Sequence, residues 1–111
     1  QLTRAYFFQH TCGSVFALIP SLIKMGVDSL SPIQPLARDM EAAKLKQAYG
    51  EQLVFWGGID TQQLLTQGSE EDVKKNVLKV LADMKHTGYV LAPAHTLQQD
   101  VPAKNVIAMY R

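Results

Sequence analysis

Short apolar runs alternate with longer segments of helical spacing along the whole chain. Arg4 to Gln9, centred on Ala5-Tyr6-Phe7-Phe8, is aromatic-rich and reads as a buried strand. Ser14 to Met25 follows as a helix whose Val15, Leu18, Ile19 and Leu22 recur at helical spacing. Pro20 inside it predicts a kink or a later helix start, because proline removes a donor and crowds the preceding turn. Gly26 is a natural stop.

Ser29 to Ile33 reads as a second strand, with Pro32 and Pro35 around Gln34 forcing an extended exit. Asp39 is a candidate cap for a helix from Met40 to Tyr49, ended by Gly50. Leu53 to Trp56 is the third strand, ended by Gly57-Gly58, and Trp56 is expected in the core, with stacking on a flat ligand as the alternative. A short helical piece near Gln62 to Leu65 precedes the clearest helix. Ser69 is its N-cap, Glu70, Glu71 and Asp72 favour the helix dipole, and Val73, Val77, Val80, Leu81 and Met84 make one face. Lys85, His86 and Gly88 signal its end, with His86 a surface dipole partner. Tyr89 to Pro93 is the fourth strand. Pro102 fits the first position of a last helix, with Asp100 just before it and Val106, Ile107 and Tyr110 facing inward.

Four βα units in a row predict an α/β fold with a parallel sheet covered by helices. Residues 1–111 show no linker or low-complexity segment and read as one domain. Two architectures fit: a small open doubly wound sheet, favoured by length, or half of a (β/α)8 TIM barrel, since a full barrel needs about 250 residues. The opening Gln1-Leu2-Thr3 has neither a signal-peptide pattern nor an initiator methionine and reads as a chain entered midway, which favours the half barrel.

Composition narrows function by exclusion. With 47% hydrophobic and 19% charged residues the chain is ordinary globular protein rather than disordered. A net charge of +1 gives no basic footprint for nucleic acid or an acidic membrane surface. No apolar run reaches the length of a bilayer span. One cysteine rules out an internal disulfide and fits a reducing cytoplasm.

In either architecture, ligands bind beyond the carboxyl ends of the strands. That rule selects His10 to Gly13, Gln34, Gly57 to Asp60, and Ala94 to Thr96. His10 and Cys12, two residues apart in extended chain, point to one side and are candidate zinc ligands. His95 is the candidate third ligand or, alternatively, a general acid or base. The plainer readings are a small buried thiol and hydrogen-bonded loop histidines. Gly57 and Gly58 permit close approach of a ligand or a tight turn, and Asp60 either touches substrate or caps the next helical turn. Arg38 is a candidate carboxylate holder that is more often simply solvated.

Taken together, His10-Thr11-Cys12-Gly13-Ser14, Pro32-Ile33-Gln34-Pro35, Phe55-Trp56-Gly57-Gly58-Ile59-Asp60-Thr61 and Ala92-Pro93-Ala94-His95, followed by Asp100-Val101-Pro102, resemble the C-terminal part of the uroporphyrinogen decarboxylase superfamily. The resemblance spans nearly the whole chain and implies the last four βα units of a (β/α)8 barrel. It implies one of two chemistries. Decarboxylases of the family remove the acetate carboxyls of uroporphyrinogen without metal or cofactor. Related methyltransferases bind zinc through an HxC pair and a later cysteine, and exchange methyl between a corrinoid protein and a thiol. His10 and Cys12 match the methyltransferase pair, whereas His95 stands where that branch has its second cysteine. A histidine there matches the decarboxylases, although Ala94 and Thr96 replace its flanking glycines. The expectations are therefore catalytic His95, substrate-binding Gln34, Gly57, Gly58 and Asp60, and candidate metal ligands His10 and Cys12. The expected partners are a small anionic substrate, a corrinoid protein in the methyltransferase case, and either a missing N-terminal half barrel or a second copy. A non-enzymatic open-sheet binding module is the third reading.

Overall fold

The computed structural model describes residues 3–111, so Gln1 and Leu2 of the chain's opening lie outside the described residues. Its elements run β1 (Phe8–His10), a 3-10 turn (Phe16–Leu18), α1 (Ile19–Lys24), β2 (Ser29–Ile33), α2 (Ala42–Tyr49), β3 (Val54–Ile59), α3 (Leu64–Gln67), α4 (Glu70–Asp83), β4 (Tyr89–Pro93) and α5 (Ala103–Tyr110). The four strands are all parallel and lie side by side in chain order. Right-handed crossovers between strands that never reverse order leave all the helices on one face. An open doubly wound sheet needs such a reversal, so this is a segment of a TIM barrel.

The core lies between sheet and helices. Leu30, Ile33, Phe55 and Ile59 from the strands meet Ile19, Leu45, Val73 and Met109 from the helices, all fully buried. Among the described residues, the opposite sheet face carries no helix. Trp56 lies on it, 39% exposed, and packs edge-on against Phe8 with ring centroids 5.2 Å apart. The expectation of a core Trp56 was wrong, because alternation along β3 turns Phe55 to the helices and Trp56 away from them.

Other departures have local causes. The first strand is shorter than the aromatic run and sits exposed at the sheet edge. Its ladder begins at Phe7, whose carbonyl accepts from Asp28 and Ser29 amides, and β2 offers residues 4–6 nothing to pair with. Helix α1 starts late, with Pro20 in its first turn, where the missing donor costs nothing. The 3-10 turn before it leaves Leu18 exposed. Asp39 does not cap α2. It takes a positive φ of 65°, binds Lys44 at 2.6 Å and lies 3.5 Å from Arg38, while Glu41 occupies the cap position. Gly57 and Gly58 continue β3 rather than ending it.

Helix α5 buries Asn105, Ala108 and Met109 instead of Val106, Ile107 and Tyr110, and Pro102 is its N-cap residue. Asn105 explains the rotation. Its side-chain amide donates to the Leu65 carbonyl at 3.0 Å and the Gly68 carbonyl at 2.8 Å, acceptors that the end of α3 leaves without helical partners.

The start of α4 folds as its sequence implies. Ser69 Oγ accepts from the Asp72 amide and the Asp72 carboxylate accepts from the Ser69 amide. The Ser69 hydroxyl and amide hold the Asp72 carboxyl below its ordinary value, with a smaller contribution from Lys75. A carboxyl depressed in the folded state stabilises above its unfolded pKa and loses that contribution as pH falls through its folded value. Thermal melts of wild type and Asp72→Asn should therefore differ at neutral pH, with wild type higher, and converge as the pH drops below the ordinary carboxylate range.

Candidate functional site

The carboxyl ends of all four strands converge on one rim. Two of the clefts that open there share Gln34. The larger, about 490 Å³, is lined by Cys12, Gln34, Gln62, His95, Thr96 and Asp100 among others. The smaller, about 250 Å³, is lined by Gly13, Gln34, Asp60 and Ala94 among others. Gln34 separates them. Its Oε1 accepts from the Gly13 amide, so β2's exit is fastened to β1's exit. That bond uses the oxygen and leaves the amide nitrogen as the group to meet a ligand. Ser14 Oγ donates to the Arg38 carbonyl at 2.7 Å and ties the same two loops again. Arg38 itself is exposed and pairs with Asp39.

His10 and Cys12 come together as their spacing implies, with Cys12 Sγ 3.5 Å from His10 Nε2. Both are exposed. His95 shares the larger cleft with Cys12, its Nδ1 3.4 Å from the Thr96 carbonyl. Among the described residues, no three His, Cys, Asp or Glu side chains are placed to hold one metal ion. The donors suit zinc in kind, a thiol beside an imidazole, but catalytic zinc takes three protein ligands and His95 does not complete the set.

Asp60 is buried and committed to the backbone. Its Oδ1 accepts from the Gln62 amide at 3.1 Å, and its Oδ2 from the Gln63 and Leu64 amides at 2.8 and 2.9 Å. The carboxylate thus holds the turn that presents Thr61 and Gln62 to the larger cleft. Gly57 and Gly58 also answer to packing within the chain. A Cβ on Gly57 would lie 2.7 Å from the Ile33 amide nitrogen, and one on Gly58 would lie 3.1 Å from the Tyr89 hydroxyl. That hydroxyl donates to the Gly57 carbonyl, and burial pushes the phenol above its ordinary value.

A larger cavity, about 720 Å³, lies at the other end of the sheet, bordered by Lys46, Glu51, Asp83 and Lys85. Volume and chemistry disagree here, and chemistry decides. In barrels the amino-terminal end serves stability and the carboxyl-terminal rim carries function. His86 also lies toward that far end, after α4 and before β4.

The family model described as uroporphyrinogen decarboxylase matches residues 3–111. The chain belongs to that family. The match covers every βα unit and accords with the parallel, sequentially ordered sheet, since the family fold is a TIM barrel. No curated protein matches the chain significantly. Sequence reasoning reached Thr96 through the strand-end rule but missed Thr61, Gln62 and Gln98 as lining of this family member's larger cleft. Neutral amides and hydroxyls in loops carry no spacing signal, and only the strand-end rule could have flagged them. Among the described residues, no helix is long and apolar enough to cross a membrane.

Proposed function

We propose that this chain forms part of the catalytic mouth of a uroporphyrinogen decarboxylase-like enzyme that removes carboxyl groups from a tetrapyrrole-type or similarly anionic substrate. One observation carries the reading: His95 stands in an open cleft at the strand ends beside Gln34, Gln62 and Thr96. Neutral hydrogen-bond donors suit a substrate whose carboxylates must be held yet allowed to leave as carbon dioxide. Loss of an acetate carboxyl as carbon dioxide leaves a methyl group, so one proton must be delivered for each carboxyl lost. An exposed imidazole at that depth is the group in this chain suited to deliver it. Gln34 would orient the substrate through its amide nitrogen. Asp60, Gly57 and Gly58 would shape the wall. Four strands cannot close a barrel, so the active form has eight, and the four-stranded unit alone is inactive. The same reading needs no cofactor and takes the protein to be cytoplasmic.

Uroporphyrin, the stable oxidised form of such a substrate, tests the binding half of this reading. The closed eight-stranded form should bind it with a Kd that rises about tenfold in Gln34→Ala, the loss of roughly one hydrogen bond. An unchanged Kd would remove Gln34 from the site.

The His10–Cys12 contact favours a second reading, in which the family member is a zinc-dependent methyltransferase serving a corrinoid protein. His10 and Cys12 would supply two zinc ligands and the rest of the barrel a third. Bound zinc would activate a thiol for methyl transfer. Zinc measured by elemental analysis, present in wild type and lost in Cys12→Ala, would favour this reading over the first.

A further inference from the structure

Asp100 stands just before α5 but does not cap it. Pro102 holds the cap position, and no side-chain cap bond forms there. Among the described residues, the Asp100 carboxylate pairs with no cation and accepts no hydrogen bond. The backbone beneath it is nevertheless fixed. The Val101 amide donates to the Gln98 carbonyl at 3.2 Å, and Val101 packs against the core. The backbone amide of the buried Asn105 donates to the Pro102 carbonyl at 3.0 Å. Asp100 is thus an unspent carboxylate on an anchored turn. It borders the larger cleft with His95, Gln34 and Gln62. Among the described residues, it is the one carboxylate that lines this cleft, and no lysine or arginine lines it. A substrate arm that enters meets a negative charge with no cation in the lining to cancel it.

We propose that Asp100 is a specificity-determining residue that repels a carboxylate arm resting in the cleft and tolerates the methyl group that replaces it. The inference rests on the proposed decarboxylation and adds to it a residue that tells a substrate arm from a product arm. As the carbon–carbon bond breaks, its electron pair stays with the ring-side carbon and takes the proton from His95. The carboxyl departs as neutral carbon dioxide. The arm has then lost its charge, so the repulsion ends with the reaction. Asp100 raises the energy of the bound substrate and not that of the product. A strain present in the ground state and relieved on the way to product raises kcat and KM together. Asp100 is exposed, so water and salt moderate the effect. Its neutral neighbours Gln34, Gln62 and Thr96 supply the hydrogen bonds that hold the arm against this repulsion.

The test titrates the closed eight-stranded form at low salt with two porphyrins, uroporphyrin and the analogue that carries methyl groups in place of the acetates. Asp100→Asn should tighten uroporphyrin by at least about fivefold and leave the methyl analogue unchanged. High salt should shrink that gain. Asp100→Glu keeps the charge and should keep the wild-type preference. Glu51→Gln removes a charge at the opposite end of the sheet and should change neither Kd. In turnover, Asp100→Asn should lower kcat and KM together, each by about threefold or more. Uroporphyrin binding that is unchanged or weaker in Asp100→Asn, an equal gain for both porphyrins, or the same gain in Glu51→Gln would overturn the proposal and leave the cleft assignment standing. A wild-type protein that binds neither porphyrin would bring down the proposed function together with this inference.

Discussion

Replacing His95 with alanine is expected to slow decarboxylation by the closed eight-stranded form by about 10²-fold or more, the usual contribution of a positioned proton donor. His95 follows β4 directly and stands exposed in the larger cleft with Gln34 and Gln62. Among the described residues its hydrogen-bond contact is a long one, 3.4 Å to its neighbour's carbonyl, so the ring is free to meet substrate and its loss should leave the fold intact. His86→Ala is the control. That residue lies at the opposite end of the sheet, and its removal should leave turnover unchanged. Equal losses in both variants would mean that His95 acts through stability alone.

Gly57→Ala is expected to cost about 3 kcal/mol or more of folding stability, a large part of what a domain of this size possesses. Two causes add. Gly57 has φ of +117°, a region that side-chain-bearing residues enter only at a cost of about 1–3 kcal/mol. A methyl group there would also lie 2.7 Å from the Ile33 amide nitrogen, and that atom cannot move without breaking β2 away from β3. Gly13→Ala separates the two causes. Gly13 has φ of +83° but no atom within 4 Å of a new Cβ, so only the conformational cost of about 1–2 kcal/mol remains. Chemical denaturation of the three proteins would show the difference, and similar losses in both variants would discount the clash.

Elements whose causes are local were legible in the sequence. Ser29–Ile33 and Tyr89–Pro93 form strands with the expected bounds, because apolar runs between turn residues leave little choice. The Ser69 cap formed for the same reason. Facing was not legible. Trp56 looked like core because an apolar strand in a parallel sheet is normally covered on both faces, and here one face is bare. The rotation of α5 was hidden because Asn105 is polar, and its value lies in two distant carbonyls at Leu65 and Gly68. The rule that ligands bind beyond strand ends located the rim, and the structure gathers Cys12, Gln34 and His95 on one cleft there. Their pairing across chain segments, and the commitment of Asp60 to three amides, needed the fold.

The most direct test of the account is carbon dioxide release from uroporphyrinogen by the closed eight-stranded form, measured with and without a zinc chelator. The account predicts release that is indifferent to the chelator and falls about 10²-fold or more in His95→Ala. No release from the wild-type protein, or release that His95→Ala leaves untouched, would contradict it.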